Sequence, residues 1–146
     1  MSENILTAKT IEMNQSFDSK EEAIRYTGAL LRDNGYVNEE YIDHMLEREK
    51  VTSTFMGNYV AIPHGTEDAK KAVLETGIAV VTVPEGVDFG DGNIVKLLIG
   101  IAGKGDEHLE VLSKIAIVCS EEENIDKIIS AKSKEEIISI FNEVTD

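Results

Sequence analysis

The sequence predicts an α/β fold, with helices flanking a small mixed sheet, on three observations. Two long runs, "ETGIAVVTV" (75–83) and "NIVKLLIGIAG" (93–103), are rich in β-branched residues and apolar enough to be central strands covered on both faces. Amphipathic stretches with capping signals stand both before and after them. The composition, 42% hydrophobic, mixes β-branched with helix-forming residues.

At 146 residues without a Pro/Ser-rich linker, a low-complexity tract or an internal repeat, the chain is expected to form a single domain, 1–146. Folding at this length buries about two thirds of the surface of the unfolded chain, so a sizeable core is available. Cys119 is the only cysteine, which excludes an internal disulfide and a Cys-based zinc site and points to a reducing setting. The start, "MSENILTAKT", has an early glutamate and no apolar signal region, and no apolar run approaches the roughly 18 residues of a membrane span. A cytoplasmic chain without membrane insertion is the expectation. With 28 acidic against 14 basic residues, the formal charge of -14 repels nucleic acid and anionic membranes and suits a basic protein partner. The plainer alternative is a solvated acidic surface.

Element by element, "FDSKEEAIRYTGALLRDNGY" (17–36) predicts a helix: Ser19 and Glu22 make a capping box, Ala23, Ile24, Thr27, Leu30 and Leu31 share a face, and Gly35 suits the stop. "NEEYIDHMLEREK" (38–50) predicts a second, capped by Asn38, with Tyr41, Ile42, Met45 and Leu46 inward. "VTSTFMGNYVAIPHG" (51–65) predicts a hairpin turning at Gly57-Asn58. Pairing Met56 with Tyr59 sets Val51 opposite His64 and brings Arg48, one helical turn earlier, towards that histidine. "TEDAKKAV" (66–73) reads as a helical turn and "PEGVDFGDG" (84–92) as a loop between the two central strands. A helix starting at Asp106 is expected to bury Leu109, Leu112, Ile115, Ala116 and Cys119. Two short helices close the chain near 124–131 and 133–144, the second with a capping box at Ser133 and Glu136.

Of the three histidines, His44 sits mid-helix between inward positions and is read as a surface or edge-of-core residue. His64 differs. Pro63 has a fixed φ and no N–H, so it ends the strand ladder, and Gly65 lets the following backbone turn tightly and come close to a bound group. The imidazole is presented at a strand tip. His108 falls in the first turn of the helix that begins at Asp106, where free N–H groups and the dipole favour an anion over a protonated ring. A neutral ring there can bond an oxyanion; alternatively His108 is an exposed residue with no task.

No H-x-x-x-H or H-E-x-x-H pairing supports a metal, no G-x-S-x-G supports a serine nucleophile, and "GKG" is not a P-loop. The chemistry that remains is histidine as a covalent phosphoryl acceptor. Neutral imidazole is a competent nucleophile, and phosphoryl transfer asks mainly for positioning and for donors to the equatorial oxygens. Arg48 can supply a bidentate donor, His108 a second, and the backbone at Gly65 a third. Apolar residues near His64, namely Phe55, Val87 and Phe89, are candidates for a partner contact, with core packing as the alternative.

The segments "LEREKVTSTFMGNYVAIPHGTEDAKKAV", "PEGVDFG" and "IGIAGKGDEHLEVLSKIA" together resemble the mannitol/fructose class of enzyme IIA of the bacterial phosphoenolpyruvate-dependent sugar phosphotransferase system. The resemblance runs from about Ser16 to the end. Its most specific part is A-I-P-H-G preceded by R-E at this interval, and "EGVDFG" and "IGIAGKGDEH" are more similar to the mannitol-specific branch than to the fructose or nitrogen-regulatory ones. It implies a mixed five-stranded sheet flanked by helices. It also implies that His64 is phosphorylated through Nε2 by the histidine phosphocarrier HPr and donates to a cysteine of enzyme IIB. Arg48 matches the family's active-site arginine and His108 its second histidine, and no metal or organic cofactor is implied. The competing readings are a fructose-type or regulatory enzyme IIA, and a binding module that captures an anion without covalent change.

Overall fold

A computed structural model describes residues 5–145. After a 3-10 turn at Ala8–Thr10 come strand β1 (Ile11–Glu12), helices α1 (Lys20–Asp33) and α2 (Glu40–Val51), and strands β2 (Phe55–Gly57) and β3 (Val60–Ala61). A second 3-10 turn (Glu67–Ala72) precedes strands β4 (Gly77–Asp88) and β5 (Ile94–Ala102), and helices α3 (Glu107–Cys119), α4 (Glu122–Ile129) and α5 (Lys134–Thr145) follow. The strands form one sheet in the order β1-β4-β5-β3-β2. Pairing is mixed: β1 with β4 and β3 with β5 are parallel, while β4 with β5 and β2 with β3 are antiparallel. This is the α/β, mixed five-stranded architecture expected.

Strand alternation explains why β4 and β5 read as unbroken apolar runs. Ala79, Val81 and Val83 of β4 and Leu98 of β5 join Ala23, Ile24, Leu31, Tyr41 and Met45 of α1 and α2 on one face. Ile78, Val80, Leu97, Ile99 and Ile101 join Val111, Ile115, Val118, Cys119, Ile125, Ile128 and Phe141 of α3, α4 and α5 on the other. A sheet covered on both sides has no polar face to alternate with.

Both predicted capping boxes form. Glu22 N donates to Ser19 Oγ at 3.2 Å and Glu136 N to Ser133 Oγ at 3.2 Å. In each, the glutamate reaches back one residue further than the box requires, to the N–H of Asp18 and of Lys132. At the end of α1, Gly35 takes φ 82°, and the bonds Tyr36 N to Leu31 O and Gly35 N to Arg32 O complete a Schellman stop.

Four expectations are corrected. The N-cap position of α2 is Glu39, which makes no side-chain capping bond, and not Asn38, which lies one residue outside the helix and donates its N–H to Ala72 O at 2.9 Å. The hairpin turns at Asn58-Tyr59, with φ 52° and 70°, rather than at Gly57-Asn58; Gly57, at φ 94°, takes the left-handed position just before the turn, pairing with Val60 while Phe55 pairs with Ala61. Val51 therefore does not face His64: it closes α2 and is 75% exposed. Half of the predicted loop 84–92 is strand, because β4 resumes at Val87 opposite Val95 after an irregularity that contains Pro84, which has no N–H for the ladder. On α3 the buried stripe is Val111, Ile115, Val118 and Cys119, leaving Leu109 67% exposed and Ala116 exposed. That helix is apolar on more than one face, so periodicity alone could not choose between them.

The sheet and α1 pack closely at Gly100, where an added Cβ would lie 2.5 Å from Thr27 Cγ2 and 3.5 Å from Leu31 Cδ1. Gly100→Ala is expected to lower stability by about 1–3 kcal/mol through overpacking, read as a lower urea midpoint at unchanged slope.

Candidate active site

His64 stands where the sequence placed it, just beyond the end of β3. Ile62 N donates to Thr54 O at 3.0 Å and Ile101 N to Pro63 O at 2.9 Å, and His64 itself makes a single parallel bridge to Ile101. The strand thus stops in steps, held on one side by the segment before β2 and on the other by β5. The ring is half-buried, and its Nδ1 lies 2.7 Å from the carbonyl oxygen of Ile62. A carbonyl can only accept, so in the neutral ring Nδ1 carries the proton and Nε2 carries the lone pair.

Gly65 is held by a residue that the sequence marked only as inward. Tyr41 Oη accepts from Gly65 N at 2.9 Å and donates to Ile101 O at 2.6 Å, so one buried hydroxyl ties α2 to both strands of the site. Burial pushes its pKa up to about 12, against a smaller lowering by the Gly65 N–H bond. A Cβ on Gly65 would meet the Tyr41 ring at 2.7 Å and Ala69 Cβ at 2.8 Å. Glycine is needed there for close packing against Tyr41 rather than for an unusual φ.

Arg48, on the last turn of α2, donates from Nη1 to Thr52 O at 2.6 Å. That bond takes one of the five N–H donors of the guanidinium. His108 is in the first turn of α3, and its ring centroid lies 5.2 Å from that of His64 with the planes 49° apart. Gly103 makes this possible, since any side chain there would collide with the backbone of His108. Asp106 takes the N-cap position of α3 as expected, although its side chain makes no capping bond.

His64, Arg48 and His108 line one cavity of about 210 Å³, together with Tyr41, Gly65, Thr66, Ala69, Val73 and Gly103. At about 30 Å³ per water molecule this is space for a small solvated anion. A larger hollow, about 590 Å³, lies around the β2–β3 and β4–β5 turns and the start of α4 and contains no histidine. Arg48 does not reach His64 through the expected hairpin register, since Phe55 pairs with Ala61 and Gly57 with Val60. The packing of α2 beside the end of β3 brings it there instead. His44, the discounted histidine, lies with Nδ1 3.4 Å from Thr66 Oγ1 at the margin of the site.

The pKa of His64 is lowered from the ordinary 6.5. Burial is the largest cause, and the charge of Arg48 lowers it further, while the Ile62 bond and the charge of Glu49 oppose the shift. A neutral ring with Nε2 available, a guanidinium and a second imidazole can bind an anion or accept a phosphoryl group.

The family model for the phosphoenolpyruvate-dependent sugar phosphotransferase system, EIIA 2, matches residues 4–144. The chain belongs to that family. A mannitol-specific phosphotransferase enzyme IIA component from Geobacillus stearothermophilus is 61% identical over 144 residues, covering 99% of each chain. The component of the same description from Bacillus subtilis is 59% identical over 140 residues, covering 96% of this chain and 98% of its own. Among solved structures, the complex of enzyme IIA-mannitol and phosphorylated enzyme IIB-mannitol from Escherichia coli has a TM-score of 0.89 at 38% identity, covering 94% of this chain and 97% of the matched one.

In this enzyme IIA the suggested contact residues Val87 and Phe89 are core residues, and Phe55 is half-buried against the same cluster. Apolar side chains that are exposed next to the cavity-lining positions are others: Val51 three residues after Arg48, Leu74 after Val73, and Leu109 after His108. Sequence reasoning had counted Leu109 as buried and Val51 as a strand residue. Glu49 was also missed, a buried carboxylate beside Arg48.

A lowered pKa means that the unfolded chain binds the proton more tightly than the folded one. The contribution of His64 to stability is therefore complete above 6.5 and is lost as pH falls through the folded pKa. An NMR titration of the His64 ring is expected to show a midpoint below 6.5, moving upward in Arg48→Gln, because the guanidinium is one of the groups holding it down.

Proposed function

We propose that this enzyme IIA is a cytoplasmic phosphohistidine carrier that accepts a phosphoryl group from phospho-HPr on His64 and passes it to a cysteine of enzyme IIB, for mannitol uptake and phosphorylation. The observation that carries the reading is the Nδ1–Ile62 carbonyl bond, which commits the proton to Nδ1 and leaves Nε2 nucleophilic in a cavity shared with Arg48 and His108. The mannitol-specific names of relatives at about 60% identity support the sugar. The solved complex of a related enzyme IIA with phosphorylated enzyme IIB supports the acceptor. Among the described residues no helix is long and apolar enough to cross a membrane.

In the forward step the Nε2 lone pair attacks phosphorus, the P–N bond of phospho-HPr breaks, and its electron pair returns to the donor's imidazole. The His64 ring, bonded at both nitrogens, becomes cationic, and the Ile62 carbonyl stabilises it by accepting from Nδ1–H. Arg48 neutralises charge on the equatorial oxygens and His108 donates a hydrogen bond to one of them. In the second step a thiolate of enzyme IIB attacks phosphorus, and the pair of the breaking P–N bond returns to Nε2. Val51, Leu74 and Leu109 give the partners an apolar rim, while the charge of -14 steers the basic surface of HPr.

Incubation with phosphoenolpyruvate, enzyme I and HPr is expected to add one phosphoryl group by intact mass, a gain absent in His64→Gln. No gain in the unaltered chain would leave an anion-binding module as the better reading. His108→Ala is expected to slow transfer about 10²-fold while leaving phosphorylation possible; an unchanged rate would remove His108 from the mechanism. Restored growth of a mannitol-uptake mutant separates this role from a fructose-type or regulatory one.

A further inference from the structure

Glu49 is a buried acid, 5% exposed, at the end of α2. A carboxylate is costly to bury unless donors compensate it. Its Oε1 accepts two bonds from one residue, Thr54 N at 3.0 Å and Thr54 Oγ1 at 2.6 Å. Oε2 has no hydrogen-bond partner among the described residues, and Lys20 Nζ stands 3.9 Å away. Thr54 is itself buried, so its N–H and hydroxyl depend on this carboxylate.

Bonds lead from Thr54 to the site. Thr54 O accepts from Ile62 N at 3.0 Å, and Ile62 O accepts from His64 Nδ1 at 2.7 Å. Two residues before Thr54, Thr52 O accepts from Arg48 Nη1 at 2.6 Å. The short segment 52–54 is therefore pinned by the side chains of two consecutive α2 residues. It is also the part to which both the guanidinium and, through Ile62, the imidazole are fastened.

We propose that Glu49 is a positioning residue for phosphoryl transfer, fixing the distance and orientation between Arg48 and His64 by anchoring segment 52–54 through Thr54. This rests on the reading of His64 as the phosphorylated residue. The links are mechanical, because the N–H and C=O that Thr54 uses belong to different peptide groups, so orientation and not a proton passes along them. The side chain of Glu49 is only 3% exposed and is not among the residues lining the cavity that holds His64, Arg48 and His108. Its loss acts on the rate of transfer, not on partner affinity.

The test is single-turnover phosphorylation of the full chain by phospho-HPr, with 15N NMR of the His64 ring, for the unaltered chain, Glu49→Ala, Glu49→Gln and Thr54→Val. Glu49→Ala is expected to lower the maximal rate constant of transfer tenfold or more, about the cost of a small misplacement, with the half-saturating phospho-HPr concentration unchanged and the ring shifting from the Nδ1–H form towards a mixture of tautomers. Glu49→Gln keeps an oxygen that can accept from Thr54 and is expected to regain most of the rate. Thr54→Val, which loses the hydroxyl and keeps the N–H, is expected to fall between the two, and it decides the matter on the same readouts if Glu49→Ala does not fold. A folded Glu49→Ala at the unaltered rate, or one in which only the half-saturating phospho-HPr concentration rises, overturns the proposal. If the unaltered chain takes no phosphoryl group, the carrier reading falls and this proposal with it. If it takes the group and Glu49→Ala takes it equally fast, this proposal falls alone.

Discussion

The hydrogen bond between His64 Nδ1 and the carbonyl of Ile62, two residues back in the same chain, sets the chemistry of the site. It is local, yet it exists only because the backbone leaves strand geometry in a particular way. Pro63 has no N–H to continue the ladder, and its carbonyl is engaged by Ile101 N, so the Ile62 carbonyl is left to face the ring. A main-chain carbonyl cannot change protonation state. The tautomer it enforces is therefore insensitive to pH in a way that a carboxylate partner would not be. The charged neighbours, Arg48 and Glu49, pull the ring in opposite directions, and burial makes the neutral form prevail.

Around this bond the fold acts as a clamp with two jaws. The ends of β3 and β5 form one jaw, joined by the Pro63 and His64 bridges to Ile101. The other is α2, which reaches across with Tyr41 and Arg48, while α3 closes the third side with His108. Tyr41 is the link between the jaws, since its hydroxyl bonds both Gly65 of one strand end and Ile101 of the other. The end of β3, α2 and α3 thus meet at one small cavity, lined by His64 from the first, Tyr41 and Arg48 from the second and His108 from the third. The outer strands, β1 and β2, are only two and three residues long, which limits the edge available for pairing with another chain.

What could be read in the sequence divides along the range of the forces involved. Capping boxes at Ser19 and Ser133, the Gly35 stop and the two central strands are decided within a few residues, and they formed as expected. The place of His64 at the end of β3 was legible for the same reason, because Pro-His-Gly after an apolar run is itself a local statement. The hairpin register was not, since Gly57, Asn58 and Tyr59 all take positive φ and a one-residue slip among them changes every partner. The α3 face was not, because the choice between its apolar stripes is made by the sheet and by α4 and α5. Tyr41 read as an ordinary inward aromatic, and Glu49 entered only as the glutamate of the R-E pair, with no role attached to it. Their roles arise only when α2 lies against the end of β3.

Cys119 sits in the layer between α3 and the sheet, where burial pushes its pKa up to about 12. In a relay that hands its cargo to a partner's sulfur, a second reactive sulfur on the donor would be a competing destination and a point of oxidative cross-linking. Kept protonated and out of reach by burial, this sulfur would not compete with a partner's thiolate for the cargo of the proposed carrier.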